Sequence, residues 1–108
     1  MTATPVLDTL ADLTAMSATN NTLQPREFML ARMAALIAVD APPASYLANL
    51  TAAEETGMTA EDVQGVMIAV APLVGTARVV AAGGNIMRAM GLAIAVAESE
   101  MALDSDDT

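Results

Sequence analysis

The stretch from Pro42 to Val63, PPASYLANLTAAEETGMTAEDV, constrains the chain more than any other. Pro42 and Pro43 suit the first turn of a helix, where a missing N–H is no loss and φ is already set. From Ala44 to Thr56 nothing breaks a helix, and Tyr46, Leu47, Leu50, Ala53 and Glu54 recur at steps of three and four. Gly57 stands where a helix wants a left-handed C′ residue. Thr59 followed by Asp62 is a variant of the capping box, and Met58 and Val63 occupy the two positions of a hydrophobic staple. Glu61 and Asp62 place negative charge in a first turn, which the helix dipole favours. The stretch therefore predicts a helix, a tight stop and a second helix start.

The flanking sequence extends the pattern. Thr4-Pro5 is a helix start, and Val6, Leu7, Leu10 and Leu13 form a stripe opposite Asp8 and Asp12, predicting a helix that ends near Met16. Ser17 to Thr22 is polar and turn-prone, a loop. Pro25 opens a second helix to about Val39, with Phe28, Leu36 and Val39 on one side and Met29, Met33 and Ile37 flanking it. The third helix is Pro42 to Thr56 and the fourth Thr59 to about Val74. The fourth is apolar nearly all round; Gly65 is read as admitting a close neighbour, and Pro72 shortens its last turn. Gly75 stops it and Thr76 caps the next. The fifth helix, Ala77 to about Leu103, carries Val79, Gly83, Met87, Met90, Ile94, Ala97 and Met101 at steps of four and three, close to a heptad seam. Gly83, Gly84 and Gly91 each cost about 1 kcal/mol of propensity there, which predicts close backbone approach in return. Residues 1–4 are read as a loose N-terminus and 104–108 as a solvated acidic tail. The expected fold is all-α, one domain of five helices over residues 1–108.

Composition matters at this point. Hydrophobic residues make up 55% of the chain and mean hydropathy is +0.50, yet only 2% are aromatic. A protein of 11.0 kDa should bury roughly 65% of its unfolded surface. That interior is too small for so many Ala, Val, Leu, Ile and Met side chains. A membrane span needs about 20 predominantly apolar residues. The longest charge-free run, Val63 to Ala77, is shorter and holds Gln64, Pro72 and Gly75. No Lys or Arg precedes an apolar core at the N-terminus, as a secretory leader would require. The expectation is a cytoplasmic protein whose copies bury one another's apolar faces, through the third and fifth helices. A net charge of −9 argues against a nucleic-acid partner. With no Cys and no His, disulfides, thiol redox chemistry and thiolate or imidazole metal sites are excluded; no metal or cofactor is expected. The carboxylates lack calcium-loop spacing, and the nine Met are read as core and interface filler.

Leu23-Gln24-Pro25-Arg26-Glu27, an apolar helix, the Pro42–Val63 stretch, then Val74-Gly75 and an Ala/Gly-rich helix together resemble the carboxymuconolactone decarboxylase family. That family includes the alkylhydroperoxidase-D-like peroxidases. The likeness runs from about Leu23 to Met90, and is firmest at Gly57-Met-Thr-Ala-Glu-Asp-Val. It implies a small all-helical subunit assembled as a homotrimer or homohexamer. In the peroxidase branch the third helix opens with Cys-x-x-Cys-x-x-x-His; counted back from Gly57, these positions fall on Pro42, Ser45 and Asn49. A dithiol peroxidase cycle is thereby excluded. In the decarboxylase branch a His stands at the place of Asn49, and an amide cannot take up a proton near neutral pH.

Ser45, Tyr46 and Asn49 cluster at the start of the third helix, and with Arg88 they are the candidate ligand-binding residues. They are ordinary polar helix positions on one reading, and on the other they line a pocket for a small apolar or carboxylate ligand. Glu27, Arg32 and Tyr46 are the candidates for catalysis by a lyase or isomerase acting on a small lactone or carboxylate. Glu27 is otherwise a first-turn dipole partner. Arg32 and Arg88 sit in apolar helices, which demands a partner. That partner is either an intersubunit carboxylate (Glu54, Glu55 or Glu61) or the carboxylate of a ligand, which guanidinium binds bidentately. A purely structural oligomerisation module is the third reading.

Overall fold

The computed structural model describes the backbone of residues 3–106 and the side chains among them other than Val96, Ala97 and residues 100–106. Five helices follow in order: α1 Pro5–Thr19, α2 Pro25–Ala38, α3 Pro43–Glu55, α4 Ala60–Val74 and α5 Thr76–Asp106. No strand occurs among the described residues.

The turn between α3 and α4 forms as its residues dictate. Gly57 has φ +80°. The Met58 N–H reaches the Ala53 carbonyl at 3.1 Å and the Gly57 N–H that of Glu54 at 3.0 Å. This nested pair satisfies carbonyls that the helix end leaves open. Thr59 Oγ1 accepts from the Asp62 N–H at 3.2 Å, and Asp62 Oδ2 accepts from the Thr59 N–H at 2.9 Å, closing the capping box. Asp62 also forms an ion pair with Arg26 at the start of α2. The same nested arrangement ends α2, where the Ala41 N–H bonds to Leu36 and the Asp40 N–H to Ile37. There the left-handed residue is Asp40, φ +57°, one of the few side chains that tolerate that region.

Several helix limits differ from expectation. Helix α1 runs one turn past Met16. The Thr19 hydroxyl donates to the Ala15 carbonyl at 2.9 Å and the Asn20 N–H to Met16 at 2.9 Å, so the polar residues close on the helix itself. Thr76 is the first residue of α5 and not its cap; Gly75, φ +94° and ψ 151°, alone separates α4 from α5. Helix α5 continues to Asp106, so Asp104 to Asp106 are helical; Met1, Thr2, Asp107 and Thr108 lie outside the described residues.

Helix α2 is central and packs against α3, α4 and α5, while α3 lies along α5. The core comprises Met29, Met33 and Ile37 of α2, Ala41 of the α2–α3 connection, Tyr46 and Ala53 of α3, Met58 of the next turn, and Ala82, Ile86 and Ala89 of α5. The face of α2 that is buried is therefore Met29/Met33/Ile37, the row expected to flank; Val39 is 71% exposed. On α5, too, the buried row is Ala82/Ile86/Ala89, and the expected seam of Met87, Met90 and Ile94 points outward. Small alanines face inward because α3 and α5 lie against each other. The glycines do less than expected. A Cβ at Gly65 or Gly91 would meet nothing, and one at Gly83 would meet only Met67 Cε at 3.4 Å.

Helix α1 buries no residue. Val6, Leu7, Leu10, Leu13 and Met16 are exposed, as are Ile68 and Leu73 on α4. The chain exposes 7510 Å², whereas a folded monomer of this mass exposes about 5,600 Å². Its radius of gyration is 15.7 Å against roughly 13 Å for a compact domain of this length. No described helix is long and apolar enough to cross a membrane.

Candidate functional site

The site is built around a guanidinium. Arg32, midway along α2, donates from Nη1 to Asn49 Oδ1 at 3.3 Å and from Nη2 to the Thr14 carbonyl at 3.3 Å. Its Cζ lies 4.3 Å from the centroid of the Phe28 ring, one turn earlier on the same helix. Asn49 in turn donates from Nδ2 to the Ser45 carbonyl at 2.8 Å. The amide is thereby oriented, nitrogen into its own helix and oxygen towards Arg32. One cation thus links α1, α2 and α3.

These residues line an open groove of about 420 Å³ beneath α1. Leu10 and Leu13 of α1, Leu36 of α2 and Ala48 of α3 give it apolar walls, and Arg32, Ser45, Asn49 and Thr14 give it polar atoms. Small-molecule sites have this volume and this mixture of apolar wall and few polar groups. Among the described residues Arg32 reaches no carboxylate, and the ion pair found there is Arg26–Asp62. Its bonds go to two neutral oxygens and leave three of a guanidinium's five N–H donors. Ser45 has no general base beside it, since the chain contains no His and no carboxylate lines the groove. The groove presents a cation and oriented polar atoms, and it offers no nucleophile–base pair.

The other candidate residues fall elsewhere. Tyr46 is fully buried in the core and does not line the groove. Residues one apart project about 100° apart round a helix, so Ser45 and Tyr46 face different neighbours. The Tyr46 hydroxyl has no hydrogen-bond partner. Burial raises its pKa above the ordinary tyrosine value, and the negative charge of Asp40 adds to this. Glu27 is exposed in the first turn of α2 and lies outside the groove, as a dipole partner would. Arg88 is exposed on α5 and donates to Asn85 Oδ1 at 3.1 Å, because the inward row of that helix is Ala82/Ile86/Ala89. The structure therefore brings together Arg32, Ser45 and Asn49, and separates Glu27, Tyr46 and Arg88 from them.

Sequence reasoning missed the part played by α1. Its stripe was legible, but nothing local shows that Leu10 and Leu13 wall a groove against α3 or that the Thr14 carbonyl accepts from Arg32. A second open pocket, of about 350 Å³, lies where the end of α2 meets the α4–α5 junction. There Arg78 Nη1 donates to the Ala38 carbonyl at 2.5 Å and so caps α2.

The model of the carboxymuconolactone decarboxylase family matches residues 5–84. The chain belongs to this family. The match spans α1 to the first turns of α5, and so takes in every residue of the groove. No curated protein and no solved structure matches the chain. Within the carboxymuconolactone decarboxylase family this member has neither Cys nor His anywhere in its sequence. Its all-helical fold is the one that the resemblance implied, and its five helices and capped α3–α4 turn are those read from the residues.

Proposed function

We propose that the chain is a carboxymuconolactone-decarboxylase-like homo-oligomer, a homotrimer or homohexamer of the cytoplasm, whose groove beneath α1 binds a small ligand. The family's Cys and His positions are replaced by Pro42, Ser45 and Asn49, and the groove binds without the family's proton transfer. The observation that carries this reading is the groove itself, apolar-walled and centred on the Arg32–Asn49–Ser45 chain. Assembly is supported by the excess of exposed surface, roughly 1,900 Å² over a monomer of this mass. A standard protein interface buries about 800 Å² on each partner, so this excess is enough for about two such contacts per chain. Outside the groove, the free apolar surface lies on Val6, Leu7 and Met16 of α1 and on the outer rows of α4 and α5. Helix α3 already packs on α5 within the chain, so the proposed assembly uses the outer faces that this packing leaves free.

A lyase or isomerase using Glu27, Arg32 and Tyr46 has no support from the geometry, since the three do not meet. A light-scattering mass at micromolar concentration and a ligand-observed NMR screen of small apolar carboxylates and alcohols test the proposal. The expected result is an oligomer with saturable binding that Ala48→Phe, which fills the groove, abolishes. A stable monomer refutes the assembly, and binding indifferent to Ala48→Phe refutes the groove.

A further inference from the structure

The groove holds a single cation, and that cation is electrostatically unmatched. Arg32 is half-buried between apolar walls, donates only to the neutral oxygens of Asn49 and Thr14, and reaches no carboxylate among the described residues. This occurs in a chain of net charge −9, where carboxylates outnumber cations. A guanidinium so placed lacks the carboxylate partner that normally offsets its desolvation. The Phe28 ring at 4.3 Å and the Asn49 bond hold its plane, so its free donors are pre-oriented.

We propose that the ligand of this groove is an aliphatic monocarboxylate, its carboxylate on Arg32 and its hydrocarbon body along Leu10, Leu13 and Leu36. This rests on the reading of the groove as a binding site and narrows it to one chemical class. One cation matches one carboxylate. A second carboxylate would lie against leucines and within the field of a strongly acidic protein. Ser45 and Asn49 flank the cation and give directional polar contact at that end only.

Calorimetric titration of the full chain at neutral pH with octanoate, octanol and the dicarboxylate suberate tests this. Octanoate is expected to bind roughly tenfold or more tightly than either of the others, the preference that a charge-assisted hydrogen bond gives. Arg32→Gln removes the cation and is expected to bring octanoate down to the level of octanol while leaving octanol unchanged. Because Arg32 also ties α1 to α3, a second variant leaves it in place. Ala48→Glu sets a carboxylate at the exposed wall of the groove, and is expected to abolish the preference for octanoate with helicity retained by circular dichroism. Arg88→Gln, on α5 away from the groove, is expected to change nothing. Equal binding of octanoate and octanol, or tighter binding of suberate, overturns the monocarboxylate assignment and leaves the groove a binding site. Binding of none of the three overturns both readings.

Discussion

Arg32 and Asn49 face each other across the α2–α3 interface, the guanidinium Nη1 donating to the amide Oδ1 at 3.3 Å. Because Asn49 also donates back to Ser45 at 2.8 Å, its side chain is held from both ends. The pair sits at the position where the family resemblance implies an imidazole. At that place an amide makes fixed hydrogen bonds. A double-mutant cycle of Arg32→Ala and Asn49→Ala is expected to give a coupling of about 0.5–1.5 kcal/mol in urea unfolding. Coupling near zero would mean that the two side chains act independently.

Arg32 also tethers α1, through the Thr14 carbonyl. Helix α1 buries no residue within the chain, so this contact is a large part of what holds it in place. In Arg32→Ala the amides of α1 are expected to exchange faster, while those around Met33 and Ile37 keep their protection until global unfolding. Hydrogen exchange read by mass spectrometry checks this. Equal acceleration in both regions would place Arg32 in the global core.

Tyr46 carries a hydroxyl into the core with no partner for it. A buried unpaired polar group is destabilising by about 1–3 kcal/mol. Tyr46→Phe should therefore be neutral or stabilising by up to about 1 kcal/mol, where a hydrogen-bonded Tyr would lose stability. The pH dependence follows from the raised pKa. The neutral form is favoured in the folded state, so its contribution is complete below the unfolded pKa near 10 and is lost as pH rises through the folded value. Wild type should lose stability above pH ~10, and Tyr46→Phe should not show that part of the loss.

Asp62 works in the opposite sense. Its carboxyl is held below the ordinary value first by the Thr59 backbone N–H, with the Thr59 hydroxyl and Arg26 adding to it against a desolvation that opposes. The ionised form is thus favoured in the folded state. Its contribution is present above the unfolded pKa of 3.8 and is lost as pH falls through the folded value. Asp62→Asn should be less stable than wild type at neutral pH and should converge on it in acid. A difference that persisted unchanged at the lowest pH would contradict the capping-box assignment.

Gly75 joins two helices by itself, at φ +94° and ψ 151°. That region is essentially reserved for glycine, and strain there costs roughly 1–3 kcal/mol. A Cβ at Gly75 would touch nothing, so Gly75→Ala tests backbone strain without steric overlap. Loss of about 1–3 kcal/mol in thermal unfolding is expected, and an unchanged Tm would refute the strain.

How far the sequence could be read differs from residue to residue. Gly57, Thr59 and Asp62 specify the α3–α4 turn through bonds between neighbours in the chain, so their roles were legible before any tertiary contact was known. The left-handed Asp40 was not, because Asp tolerates that conformation without requiring it. Ser45 and Asn49 were recognisable as a pair by their one-turn spacing. Arg32 was recognisable only as a cation in want of a partner, since Asn49 and Thr14 lie far from it in sequence.

The sequence by itself determined five helices, their stops and caps, the family, and the absence of thiol and imidazole chemistry. These follow from backbone preferences and residue inventory, which act locally or by simple presence. Only the tertiary structure decided which helix faces are inside and which candidate residues meet. Helical periodicity shows that Met29/Met33/Ile37 or Met87/Met90/Ile94 form a row, but not what that row faces. The outcome was set by how α2, α3 and α5 pack: alanines where α5 lies against α3, Met29 and Met33 inside, Met87 and Met90 left outside, and Arg32 the cation lining the groove, with no carboxylate partner among the described residues.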